Sequence, residues 1–413
     1  MGLIPNRYKV LGAGIFSLVL ALGVARFAYT PMLPVMQQQA GLGVAGAGWL
    51  AAINYAGYLS GALVASLISD PVLKDRLYRA GMVVAVLTTA MMGMTSDWTV
   101  WAVSRYLAGL SSAAGMLLGT GLILNWLIRN DHRGELGIHF SGIGLGLAGS
   151  AAAAMLMNRW QLDWHQQWYA FTAIGCVLLV PALAWLPAPD RSTVTLSGKA
   201  MPDAPPSPTF LRLLQASYFC AGVGYVVSAT FIVAIVDRLP HLAGNGNLVF
   251  LVLGLGVTAG GVVADLVARR IGGIDALILG AVLQIAGILL PVVGSGLHAA
   301  LWGAVLFGVT ASGIVSLVLT MAGRYYPTRP AKMMARMTLS YGVAQVIAPA
   351  VTGLMAVYLG GYRAGLYLAA AAMAVAALLL FMLRTVEART RGHPSLIGSE
   401  LATCSNPSLH RKS

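Results

Sequence analysis

Along the chain, apolar stretches of about 20 residues alternate with short polar breaks, and twelve such stretches are marked off. They run over about 11–36, 46–68, 80–96, 98–128, 136–157 and 168–187, then about 213–236, 247–268, 274–293, 297–323, 332–357 and 363–384. None alternates apolar and polar residues as a barrel strand does, and each is long enough to cross a hydrocarbon core about 30 Å thick as a helix. Only a helix satisfies every backbone N–H and C=O within its own lipid-facing segment. The pattern therefore predicts an all-α membrane protein of twelve transmembrane helices. Residues 188–212 interrupt it with a Pro/Ser/Asp-rich stretch, PAPD at 187–190 and PDAPPSP at 202–208, too polar to bury a core and expected to be a flexible linker. The expected organisation is an N-terminal six-helix bundle over 1–187, a linker over 188–212, a C-terminal six-helix bundle over 213–385 and a polar tail over 386–413.

Composition narrows the class. Of 413 residues, 58% are apolar and only 9% charged, where a soluble domain has about 25% charged. That excludes a cytosolic enzyme, a disordered chain and a nucleic-acid binder of the usual kind. The formal charge of +13, from 26 basic and 13 acidic residues, has a topological origin. With twelve spans, one side of the membrane carries roughly 21 of the basic residues, and the opposite loops about three, Arg159, Arg238 and Arg363. Both termini and the linker are thus expected in the cytoplasm. Arg7 and Lys9 precede the first apolar stretch, which runs on towards Pro34 without a small-x-small cleavage site, so it reads as a span. Cys176, Cys220 and Cys404 are scattered, without disulfide or zinc spacing. Neither P-loop, nucleophile triad nor metal cluster is present, so no cofactor, no catalysis and no ATP-driven pumping are expected. Gly142-Ile-Gly144-Leu-Gly146 follows no strand and reads as close helix contact. Trp160, Trp164 and Trp168 are expected in an interfacial aromatic belt.

The two halves repeat at an offset of about 199 residues: Gly23 falls on Gly222, Gly61 on Gly260 and Gly109 on Gly308, and Ser141-Gly142 falls within one position of Tyr341-Gly342. An even number of spans per half gives the halves the same orientation, related by an axis along the membrane normal. Such parallel repeats form a known transporter plan with substrate held at the interface near mid-membrane.

Here the chain resembles the major facilitator superfamily over about residues 8–385. The 6+6 layout and central linker match. Arg105-x-x-x-Gly109 followed by Ser111, Ser112, Ala113, Ala114 and Gly115 resembles the superfamily's fourth-helix motif. Gly261-x-x-x-Asp265-x-x-x-Arg269-Arg270 resembles its cytoplasmic gating motif between helices 8 and 9, whereas in the first half Ala65 stands where the acidic residue would be. Four segments are similar to the YbfB/YjiJ-type subgroup: Gly23-Val-Ala-Arg26-Phe-Ala-Tyr29-Thr-Pro31, Gly48-Trp49 to Asn54-Tyr55-x-Gly57-Tyr58, Gly224-Tyr225 to Thr230-Phe231, and Gly342 to Gln345. The resemblance implies a secondary transporter working by alternating access, with helices 1 and 4 on a central cavity. Asp265 with Arg269 and Arg270 would bias the inner gate.

Polar groups inside spans are costly and therefore informative. Arg26 lies about 22 Å along helix 1 from the cytoplasmic side, and Arg105 about 10 Å into helix 4 from the other, so both fall at a similar depth. No span holds a mid-membrane carboxylate to neutralise them. Two guanidiniums at one level suit a carboxylate, so the expected cargo is a small organic anion held by Arg26 and Arg105. Tyr29, Asn54, Tyr58, Tyr225 and Gln345 would shape the rest of the pocket. Polar stripes also run through Tyr218, Tyr225 and Ser228, through Ser312 and Ser316, and through Thr338, Tyr341 and Gln345. His139 is a candidate for titration. In the alternative, Arg105 is structural, bonding carbonyls of its neighbours, and the chain exports amphipathic drugs or metabolites. A transport-dead receptor or membrane enzyme is a further reading, and no oligomer is required.

Overall fold

The computed structural model describes residues 7–192, 194–238, 246–294, 296–359 and 363–392. Among these the chain forms twelve long helices. They are α1 (residues 7–39, π-helical over Val19–Phe27), α2 (Val44–Leu67), α3 (Pro71–Met94), α4 (Trp98–Arg129, π-helical over Ala114–Gly119), α5 (Gly137–Arg159) and α6 (Trp164–Ala184). The second half repeats the plan with α7 (Pro208–Arg238), α8 (Gly246–Ile271), α9 (Gly273–Val293), α10 (Leu297–Arg324), α11 (Pro330–Leu359) and α12 (Arg363–Gly392). Over their described residues, eleven are long and apolar enough to cross a membrane. The remaining one, α11, is 30 residues long and packs against α7 and α2. Leu63, Leu87, Val177, Leu279 and Phe381 are among the large apolar side chains left exposed on the outer faces, as a lipid-facing surface requires.

Local signals set the helix starts. Asp70, Asp97 and Asp163 each accept a backbone N–H from the first turn of the helix that follows, and Gln166 closes a capping box with Asp163. Helix α3 begins at Pro71, well before the expected residue 80. The polar run that hid this start is used: Asp75 pairs with Arg79 at 2.8 Å, and Arg79 also donates to the Leu183 and Leu186 carbonyls at the end of α6. Orphan carbonyls of a helix terminus are thereby satisfied. At the far end of the chain, α12 continues to Gly392, past the expected boundary at 385.

Glycine notches set the helix spacing within each half, and they repeat with the sequence offset. A Cβ on Gly57 would strike the Tyr106 carbonyl and one on Gly109 the Asn54 carbonyl, locking α2 against α4. Shifted by 199, Gly256 meets the Val305 carbonyl and Gly308 the Leu253 carbonyl, locking α8 against α10 in the same way. Backbone approach this close is open only to glycine. Gly23 meets Gly146 where α1 crosses α5, and Gly144 lies on Gly254 and Thr258 where α5 crosses α8 into the other half.

At the end of the bundle rich in basic residues the halves are stitched together. Asn125 donates to the Pro327 carbonyl at 2.8 Å, Arg324 to the Gly134 carbonyl at 2.8 Å, and Lys332 to the Ser69 hydroxyl at 3.3 Å. The linker is also tied down, contrary to the expected flexible coil. Asp190 pairs with Arg129 at 2.7 Å and Arg191 with Asp70 at 3.2 Å. Asp203 takes the Thr328 hydroxyl at 2.6 Å and the Arg329 guanidinium at 2.9 Å. The Arg129 guanidinium holds the Asp190 carboxyl below the usual carboxylate range, so this tie stays ionised at neutral pH. A sequence so poor in apolar residues is ordered here by ion pairs to both halves.

Of the three tryptophans expected in an aromatic belt, two are buried. Trp160 is exposed, but Trp168 is fully buried and Trp164 packs edge-on against Trp101 with ring centroids 5.8 Å apart. The side chains of Arg238 and Arg363, Cys404 and the tail beyond Gly392 lie outside the described residues.

Candidate functional site

A cavity of about 110 Å³ lies between the two halves, with walls from α1, α2, α4 and α5 on one side and α7, α8, α10 and α11 on the other. Positions related by the repeat face it in pairs: Arg26 with Tyr225, Tyr58 with Val257, and Met116 with Val315, each pair 199 apart. The internal symmetry read from the glycines thus places its axis through this cavity.

Arg26 is the charged residue of the lining, 8% exposed. Its guanidinium carbon sits 4.6 Å from the Tyr55 ring centroid, 4.7 Å from Tyr58 and 5.6 Å from Phe27. Ring faces attract a cation, at about 2 kcal/mol or more when desolvated, yet they take none of its N–H bonds. Among the described residues Arg26 has no hydrogen bond and no ion pair. The opposite wall is aromatic: Tyr218 stacks on Tyr341 at 4.6 Å, and Tyr225 on Phe307 at 6.0 Å. Ser312, Thr338 and Gln345 complete the polar lining, and the Ser312 hydroxyl is buried with no hydrogen-bond partner. The remaining walls are apolar, including Leu22, Ile143, Leu147 and Leu253.

Arg105 is placed differently from the expectation of two guanidiniums in one pocket. It is 3% exposed and absent from the lining. One terminal nitrogen donates to the Ala25 carbonyl at 3.0 Å and the Arg26 carbonyl at 3.4 Å, and the guanidinium lies 4.5 Å over the Tyr29 ring. The reason lies in α1. A π-helical turn bonds each N–H five residues back, as Ala28 to Gly23 at 2.8 Å, and disturbs the ordinary ladder. Its carbonyls are taken up by neighbouring helices: Ala21 by Ser112 at 2.7 Å, Gly23 by Ser150 at 2.9 Å, Ala25 and Arg26 by Arg105. Arg105 thus satisfies two carbonyls of the turn that carries Arg26. Asn54 in turn donates to the Arg105 carbonyl at 2.8 Å, pinning α2 to α4.

Of the seven residues expected at the substrate, Arg26, Tyr58, Tyr225 and Gln345 meet in the cavity, while Tyr29, Asn54 and Arg105 form a layer behind it. Tyr218, Tyr341, Ser312 and Thr338 belong to the lining although they were outside that set. Their helical spacing on α7, α10 and α11 was the available signal. His139 is buried away from the cavity, its Nε2 2.8 Å from the Thr120 hydroxyl.

Asp265 and Arg269 each take their hydrogen-bonding partner across the seam, from the other half. The Asp265 carboxylate accepts the backbone N–H of Gly137 at 2.6 Å, capping α5 from the opposite half. The start of α5 has no side-chain cap of its own. Arg269 pairs with Glu135, also of the other half, while Arg270 is exposed. Negative charge at a helix N-terminus is stabilising.

The family model described as "Uncharacterised MFS-type transporter YbfB" matches residues 18–381. The chain belongs to this family of the major facilitator superfamily. It is therefore a multi-pass membrane transporter of small molecules and not an enzyme. A Bacillus subtilis relative, the MFS-type transporter YceJ, is 24% identical over 281 residues, covering 65% of this chain and 69% of its own. Among solved structures, the human organic anion transporter MFSD10 (TETRAN) superposes with a TM-score of 0.70 at 17% identity, covering 91% of this chain and 100% of that one. FucP in the outward conformation gives 0.67 at 14%, covering 92% and 99%. A bacterial homologue of the iron transporter ferroportin in an outward-facing state gives 0.67 at 14%, covering 92% and 100%. At these identities the likeness is one of fold.

Proposed function

We propose that this transporter moves a small organic monoanion with an apolar body, a carboxylate, by alternating access. The observation that carries the proposal is Arg26: a buried guanidinium facing the cavity between the halves with its hydrogen-bond donors unmatched by any described acceptor. An unpaired buried cation is costly, and a carboxylate would satisfy it through two parallel hydrogen bonds. Tyr58 and Tyr55 fix the guanidinium, Ser312 and Gln345 offer further hydrogen bonds, and the stacked tyrosines of α7 and α11 receive the apolar body. A single positive charge in an otherwise aromatic and apolar lining favours a monoanion over a dianion. The stitched basic end fits a state closed on that side, with Asp265, Glu135 and Arg269 as its latch. By the distribution of basic residues that end faces the cytoplasm of a bacterial inner membrane, and both termini lie there.

A second reading, export of lipophilic cations, draws on the same apolar and aromatic walls. The two separate in proteoliposomes tested with benzoate, octanoate, succinate and a lipophilic cation, using wild type and Arg26→Gln. The proposal expects flux of the monocarboxylates, lost in Arg26→Gln. Flux of the cation that persists or rises in Arg26→Gln, without monocarboxylate flux, would replace it.

A further inference from the structure

At the basic end, Arg329 just before α11 and Lys332 and Arg336 in its first turns gather around one cavity, three and four residues apart. No acidic residue occupies the first turn of α11, so the positive end of the helix dipole adds to these charges. Arg329 has Asp203 for a partner. Lys332 has only the Ser69 hydroxyl, and Arg336 has no hydrogen bond or ion pair among the described residues. Lys74 of α3, 3% exposed, stands in the field of Lys332 and Arg329 and is likewise unpartnered among the described residues. The nearby Asp70 is already engaged by Arg191 and the Leu73 N–H. Left to themselves, four cations with Asp203 paired to one of them and Asp70 engaged elsewhere are a poor arrangement.

The same face carries a cavity of about 330 Å³ walled by Arg329, Lys332, Arg336 and Tyr326. Arg336 also borders a second space, a groove of about 570 Å³ between α7 and α11 lined by Phe219, Cys220, Leu339 and Val343. One side is strongly basic, the other apolar and set against the membrane-spanning α7, and Arg336 joins them. A soluble anion would use the first and leave the second; an amphiphile with an anionic head uses both.

We propose that this face binds an anionic phospholipid, its phosphate among Lys332, Arg336 and Arg329 and an acyl chain along the α7–α11 groove. Basic pockets between transmembrane helices are suited to such headgroups, each cation near the surface strengthening the attraction. The test is native mass spectrometry of the full-length protein in detergent, titrated with phosphatidylglycerol, phosphatidylcholine or inorganic phosphate. Phosphatidylglycerol is expected to be retained over phosphatidylcholine, and Lys332→Gln with Arg336→Gln to weaken that retention about thirtyfold. Arg336→Lys, which keeps the charge, should retain it, and so should Arg76→Gln, an exposed arginine elsewhere on the basic end. Equal retention of the two lipids would overturn the proposal, as would equal loss in Arg76→Gln. Displacement of phosphatidylglycerol by inorganic phosphate at comparable concentration would reassign the cavity to a soluble anion.

Discussion

Replacing Arg105 by methionine removes its donors while keeping much of its volume, and so isolates its contacts with α1. Two interhelical bonds disappear, to the Ala25 and Arg26 carbonyls at 3.0 and 3.4 Å, together with the guanidinium contact on Tyr29. Side-chain bonds between membrane helices are worth about 0.6–1.7 kcal/mol each, and a desolvated cation–ring contact about 2 kcal/mol. Against this loss stands the relief of a buried charge whose Nε has no partner. We expect a net destabilisation of about 2 kcal/mol, some thirtyfold in the unfolding equilibrium, measured by steric-trap unfolding in bicelles. Because one acceptor is the carbonyl of Arg26 itself, benzoate affinity should fall as well, by about tenfold, through displacement of the Arg26 turn. If Arg105→Met abolishes benzoate binding while leaving stability at the wild-type value, Arg105 reaches the substrate and the bracing assignment is wrong.

Three further outcomes follow from the packing. Gly109→Ala and Gly308→Ala should each destabilise by about 1–3 kcal/mol, because a Cβ at either position meets a backbone carbonyl of the partner helix; thermal melts in detergent in which one of the pair is tolerated would break the structural repeat. Asp265→Asn removes the charged cap of α5 and should weaken the closed basic end by about 1 kcal/mol, roughly fivefold. Labelling of Ser312→Cys from the basic side should then speed up by that factor, and an unchanged rate would free Asp265 from the latch. Glu135→Gln, which breaks the Arg269 pair, should act in the same direction, and Arg269→Gln on top of it should add little.

Helix count, repeat offset and the glycine notches were legible because each is written in a pattern of its own: hydropathy, self-similarity and small residues at matching places. Arg26 was legible because a charge inside a span is costly, and Tyr225 because it stands in a segment similar to the subgroup and on a polar stripe of α7. The side chains behind the cavity were harder. A depth along a helix does not give its azimuth, and the π-helical turn over Val19–Phe27 shifts the register of everything after it. One added residue per turn rotates the following face by about 100°, which is why Arg26 faces the cavity while Tyr29, expected beside it, faces Arg105. Asn54 shares a stripe with Tyr58 but is captured by the α4 backbone that Gly109 allows so near. Asp265 and Arg269 are four apart in sequence, yet their partners stand more than a hundred positions away, and no local spacing reveals them. The ordered linker escaped for a similar cause, since its ion pairs are all long-range.

Equilibrium binding of radiolabelled benzoate to the purified transporter, measured side by side for wild type, Arg26→Lys and Arg26→Gln, reaches the central assignment most directly. Binding should be saturable in wild type, about tenfold weaker with the lysine, which keeps the charge but loses the paired donors, and absent with glutamine. Benzoate held equally well by Arg26→Gln would contradict it.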